Sequence, residues 1–272
     1  MFIRGSWKRV GRMVAANSVQ TSAARRVVAT GLCAALYTVI GIATFLGLFT
    51  PAVGVVRFWP SVFVPAIFSM LFGPLTGGMG AAIGIFLSDL YTFYATGQTN
   101  PLLSLIAGVP SNFLGFYILG KIGRSRVNWN GLKTTVPLVL LGVAAFGPLL
   151  YFEYMVSTGM VDTGVGWVSN ALLLLGVVVF TLGLAAGRVR KEYLNYYVGG
   201  TLGLLTGAAW IGLGIWFYSQ LFGLPVTGVK ADLALAFYFF LWVFGTEIPF
   251  ILVVPPILDL LYRAYPFLKP AG

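Results

Sequence analysis

Seven acidic side chains are all that the 272 residues offer for proton transfer or metal ligation, and histidine is absent. That removes the usual general base near neutral pH and the commonest metal ligand. Cys33, the lone cysteine, lies inside an apolar run, where no disulfide within one chain is possible and a small packing residue is expected. No Gly-x-x-x-x-Gly-Lys-Ser/Thr loop occurs, so the chain has no visible ATP site of its own. With no acid-base or metal constellation to assemble, neither an enzyme nor a metal or other cofactor is expected.

The chemistry left to the polar residues is recognition. In hydrocarbon an ionisable side chain costs roughly 2.5–3.5 kcal/mol at a helix centre, so each one near an apolar run needs a reason. Arg57, Asp89 and Glu153 fall at the ends of runs or in the loop between them, among Trp59, Tyr91, Tyr94, Asn100, Tyr151, Tyr154 and Trp167. Aromatic walls with a few polar groups suit a flat organic solute. Arg57 would pair an acidic group of that solute. Asp89 and Glu153 would accept hydrogen bonds or meet a cationic group, and the rings would stack. A belt of Trp and Tyr at headgroup depth is the competing reading of the same aromatics. Two polar residues lie deeper in the runs: Asn112, just after Pro110, and Glu247, between Gly245 and Pro249. Glu247 would carry a proton or pair with a cation, or else satisfy backbone groups freed by Pro249.

The elements that must position these residues are membrane helices. Hydrophobic residues make up 58% of the chain and charged ones only 9%, against about 25% charged in a soluble domain. Apolar runs at Val27 to Phe49, Pro60 to Phe72, Leu75 to Phe93, Leu102 to Lys121, Val136 to Met155, Val168 to Gly187, Val198 to Phe222 and Leu233 to Leu261 predict about eight spans, within a range of six to eight. The expected fold is all-α, a polytopic helical bundle with a short second helix joined to the third at Gly73-Pro74. The last run, with three prolines, should kink or end early. Residues 1–26 read as a basic cytoplasmic segment, 27–262 as one transmembrane domain and 263–272 as a cytoplasmic tail. Alternate linkers place 15 of the 17 Lys and Arg residues on one side and leave Arg57 and Lys230 on the other, which predicts both termini inside a multi-pass cell-membrane protein. The net charge of +10 is thus spread among loops to orient helices, and nucleic acid is not an expected partner. Small residues recur every fourth position, as in Gly80, Gly84, Ser88 and Gly199, Gly203, Gly207, which reads as close helix packing within the bundle or as a surface for another subunit.

From Arg57 the sequence runs VRFWPSVFVPAIFSMLFGPLTGGMGAAIGIFLSDLYTF. With its Arg and Pro opening a short second helix, Phe72-Gly73-Pro74, a Gly-rich third helix closed by Ser88-Asp89, and Asn100-Pro101 beyond, this stretch resembles the substrate-binding S components of energy-coupling-factor transporters. The resemblance covers roughly Val27 to Gly123. It implies a membrane protein that captures a vitamin or similar small organic nutrient from outside. Such a protein hands transport to a shared transmembrane coupling subunit carrying ATPases. It also implies docking through small residues spaced by four on the first helix, where this chain offers Thr30, Ala34 and Thr38 in one row and Gly31 with Ala35 in another. The family usually has six helices rather than eight. Two other classes fit the residues alone: a stand-alone transporter coupled to H+ or Na+ through Glu247 or Asp89, and a non-catalytic structural subunit of a membrane complex.

Overall fold

A computed structural model describes residues 23–47, 52–53, 56–57, 59–97, 99–125, 191–225 and 227–269, with scattered positions between 142 and 182. Most of the fifth and sixth apolar runs and the basic N-terminal segment lie outside the described residues.

Helix α1 (Ala23–Gly47) opens four residues ahead of the first apolar run and so takes in Arg25 and Arg26. A two-residue antiparallel hairpin follows, β1 (Ala52–Val53) with β2 (Val56–Arg57), pairing Ala52 with Arg57 and Val53 with Val56. It is the one sheet among the described residues, which are otherwise mainly helical. Pro60, with its fixed φ, starts a tight 3-10 turn (Pro60–Val62) that runs into α2 (Phe63–Phe72). Ten residues at 1.5 Å each give about 15 Å, half the hydrocarbon thickness. The second helix is therefore short, as its sequence indicates. Gly73 stops it at φ 108°, a conformation open to glycine, and Pro74 starts α3 (Pro74–Thr96).

Asn100 caps the next rod by accepting the amides of Leu102 and Leu103 at 2.8 and 3.4 Å. That rod is one turn of α-helix, α4 (Pro101–Leu103), a π-helical turn (Ser104–Gly108), and α5 (Val109–Gly123). At its far end Arg124 reaches back to donate to the Met70 carbonyl, which the last turn of α2 leaves without a helical partner. Burial there pushes the guanidinium below the usual arginine range.

Helix α6 (Lys191–Phe222) begins seven residues before the apolar run. The extra two turns carry Tyr196 and Tyr197, both buried, and the Tyr196 hydroxyl donates to the Ile251 carbonyl at 2.8 Å. Asp232 caps α7 (Leu233–Leu252) through the amide of Leu235, and Pro249 sits inside this helix. The overlong last run breaks at Val253 into a separate helix, α8 (Val254–Ala264), with Pro255 and Pro256 in its first turn, where a missing N–H costs nothing.

Among the described residues, four helical stretches are long and apolar enough to cross a membrane: Ala23–Thr44, Pro101–Gly123, Tyr193–Phe222 and Leu233–Ala264. This is a helical membrane protein. Helix α3 matches them in length but is richer in Gly, Ala and Thr than in large apolar residues. Its small residues let it lie between α1 and α5. A side chain at Gly80 would strike Cys33, and one at Gly84 the Ala34 carbonyl and Tyr37. Helix α5 packs on α6 and α6 on α7, while the 3-10 turn touches both α7 and α1 and so closes a ring.

The seam between α5 and α6 brings main chain close to main chain at its glycines. A Cβ at Gly203 would run into the Gly115 carbonyl, and one at Gly199 would stand 2.8 Å from the Leu119 carbonyl. These rows of small residues are interior contacts of one bundle. Gly203→Leu is expected to destabilise the protein by about 2–4 kcal/mol, at or above the upper end for overpacking because the obstacle is main chain and cannot rotate away. The check is the melting midpoint of the detergent-solubilised variant, which an unaltered midpoint would contradict.

Candidate solute-binding cavity

The ring of helices surrounds a partly open cavity whose empty space, the solvent at its mouth included, comes to about 950 Å³. Its wall draws on every member of the ring: Tyr37 of α1, Trp59 before the 3-10 turn, Asp89 of α3, Ser104 and Gly108 of the π turn, Asn112 and Phe116 of α5, Gly207 and Ala208 of α6, and Glu247 of α7.

One end is built around Asp89. Its carboxylate Oδ2 accepts the Ser104 hydroxyl at 2.6 Å, and its backbone carbonyl accepts the Thr99 hydroxyl at 2.6 Å. The π turn brings Ser104 to that carboxylate, and Gly108 leaves it room, since a Cβ there would lie 3.4 Å from Oδ2. The aromatic wall is ordered edge to face. Tyr37 meets Trp59 at 6.1 Å between centroids and 87°, and Phe116 at 6.2 Å and 74°. The Tyr37 hydroxyl donates to Asn112 Oδ1 at 2.7 Å, and Asn112 Nδ2 donates to the Gly108 carbonyl at 3.0 Å. That relay fixes the amide in a buried setting where an unpaired polar group would be costly. Glu247 faces the same space from α7, and no hydrogen bond of its carboxylate occurs among the described residues.

Trp59, Asp89, Asn100, Asn112 and Glu247, singled out by residue type, thus stand on one cavity. Four of the other proposed contacts do not line it. Tyr91 and Tyr94 are 46% and 79% exposed, and Trp167 is 79% exposed. Glu153 is exposed and accepts the Asn170 side chain. Arg57 belongs to β2 by its backbone, and its side chain lies outside the described residues. Tyr37, Thr99, Ser104, Ser111 and Phe116 also line the cavity without having been picked out. A single Tyr in an apolar run gives no signal of facing inward. Gly108, two residues before Pro110, is the only trace of the π turn.

Residues 21–160, just over half of the chain, match the family model of the ECF-type riboflavin transporter S component. The chain belongs to this family. An S component is the substrate-binding subunit of a transporter rather than an enzyme. No curated protein and no solved structure matches the chain significantly. The match reaches past Gly123, where the sequence resemblance fades, and takes in Tyr151, Glu153 and Tyr154. It stops short of α6 and α7, which supply the cavity's remaining wall.

On α1 the two rows of small residues face different ways. Ala34 is buried, and the Thr38 hydroxyl donates to the carbonyls of Ala34 and Gly84 at 2.8 and 3.0 Å, so Thr30, Ala34 and Thr38 belong to the packing against α3. Gly31 and Ala35 lie on the exposed face with Val27, Val28, Leu32 and Val39, and a Cβ at Gly31 would meet no atom of the described residues within 4 Å.

Proposed function

We propose that this S component captures riboflavin, or a flat ring-bearing vitamin of similar size, in the cavity between Asp89 and Glu247. The observation that carries the reading is the cavity itself: aromatic edges from Tyr37, Trp59 and Phe116 beside the carboxylates of Asp89 and Glu247 and the amide of Asn112, inside a chain of this family. Apolar walls hold the ring and the few polar groups orient it. Arg57, in the hairpin two residues before Trp59, would pair an acidic group of the ligand in this reading. Glu153, Tyr91, Tyr94 and Trp167 belong to the surrounding outer surface in this reading.

The chain sits in the cell membrane with both termini in the cytoplasm and an even number of spans, six to eight, which the 15 to 2 division of Lys and Arg supports. It passes its cargo to a shared transmembrane coupling subunit with ATPases, and the exposed Gly31 and Ala35 row supplies the close approach for that subunit.

Riboflavin added to the detergent-purified chain is expected to raise its melting midpoint and to lose its own fluorescence on binding beside the aromatic wall, with saturation at one ligand per chain. A vitamin panel in which riboflavin has no effect would remove the substrate assignment. Uptake into proteoliposomes by the chain alone, driven by a pH gradient without any ATPase, would remove the partnership and point to a secondary transporter.

A further inference from the structure

Pro110 sits just past the π turn, in the first turn of α5, and has no N–H to offer. The carbonyl four residues back, which an α-helix would satisfy from that position, belongs to Ile106. Trp210 of α6 supplies a donor instead: its indole Nε1 donates to the Ile106 carbonyl at 3.0 Å. A second observation places the same oxygen against α6, since a Cβ at Gly214 would stand 3.3 Å from it and 2.9 Å from Ala107 Cα. Within hydrocarbon neither partner has water to turn to, so this bond stands in for a main-chain link that proline removes. Trp210 itself is 42% exposed and does not line the cavity.

What the link holds is a register. Four residues of α-helix turn through about 400°, so a row spaced by four drifts by about 40° at each step. Ser104, Gly108, Asn112 and Phe116 form such a row, and all four line the cavity. The wider π turn takes up one extra residue and offsets most of that drift. Ser104 thereby reaches the Asp89 carboxylate while Asn112 reaches Tyr37. If the turn closed to α-helix, Ser104 would swing by about 100° relative to Asn112, the rotation of one residue.

Resting on the reading of this cavity as the vitamin site, we propose that Trp210 is a positioning residue for ligand binding. By supplying the donor that Pro110 lacks, it pins the π turn to α6 and keeps Ser104 on Asp89. It acts from outside the cavity, and it joins the family-matched part of the chain to a helix that lies beyond it.

The test is a riboflavin titration, followed by fluorescence, of four full-length chains in detergent: the parent, Trp210→Phe, Pro110→Ala and the double variant. Trp210→Phe keeps an aromatic ring and loses the N–H. It is expected to weaken binding by about tenfold, the change that one ordinary hydrogen bond corresponds to. Pro110→Ala restores a main-chain N–H four residues after Ile106. In that background, whatever its own affinity, adding Trp210→Phe should change binding by less than about twofold. Ligand-free melting midpoints show that each variant is folded. A side chain that served packing alone would cost the same in both backgrounds, so equal losses would overturn the proposal. Parent-like affinity in Trp210→Phe would also overturn it, and both results leave the vitamin reading standing. Failure of the parent chain to bind riboflavin would overturn that reading and the positioning role with it.

Discussion

Asp89→Ala should weaken riboflavin binding by about a hundredfold. The loss has two parts. The carboxylate would no longer accept from the ligand, and a charge-assisted hydrogen bond is worth about 1.5–3 kcal/mol. The Ser104 hydroxyl, buried and 2.6 Å from Asp89 Oδ2, would also be left without that acceptor, an added cost at this end of the cavity. Asp89→Asn keeps the volume and separates the two parts, because an amide oxygen can still accept from Ser104. Ser104→Ala alone leaves the carboxylate in place and should cost no more than about tenfold. A double-mutant cycle between the two positions, read by fluorescence titration, is expected to show coupling of about 1 kcal/mol or more. If Asp89→Ala binds riboflavin as the parent chain does, Asp89 is not part of the site.

A second substitution should abolish transport while leaving binding intact. Gly31 and Ala35 lie on the face of α1 turned away from the cavity, and α1 touches the cavity through Tyr37 on its other side. Replacing both with Leu would hold a partner helix off by several ångströms, since small-residue rows work by letting backbones approach. Ligand affinity is expected to stay within about twofold, because a side chain at Gly31 would meet no atom of the described residues within 4 Å and Ala35 is exposed. ATP-dependent uptake in cells supplying the coupling subunit and its ATPases should fall at least about tenfold. Thr30 and Thr38 are poor sites for the same experiment, because Thr38 is bonded to the Gly84 carbonyl and replacing it would disturb α3. Full uptake by the Gly31→Leu, Ala35→Leu chain would move the docking surface elsewhere.

The parts of this fold that local chemistry dictates could be read directly from the residues. Pro60, Gly73-Pro74, Asn100-Pro101 and Pro255-Pro256 each mark a break that the structure contains, because proline and glycine restrict or free the backbone, whereas Pro249 is carried inside α7. The start of α6 was not legible, since Tyr193, Tyr196 and Tyr197 look like a polar linker until the Tyr196 hydroxyl is seen to reach the Ile251 carbonyl. For the cavity, type was informative and direction was not. Asp89, Asn112 and Glu247 stand out because polar groups in apolar runs are expensive. Tyr91 is two residues from Asp89, about 200° around the helix, so proximity in sequence puts it on the opposite face. The seam residues show the same limit. Spacing by four marks Gly199, Gly203 and Gly207 as a contact row, but only the structure names α5 as the partner.

That seam restricts how the chain can change over time. Where two side chains meet, a bulky replacement on one helix can be accommodated by trimming its partner on the other. At Gly203 the partner is the carbonyl of Gly115, and nothing smaller than glycine can be offered in return. A larger residue on either side of this line therefore has no compensating change available on the other, and the two helices are held to small residues here.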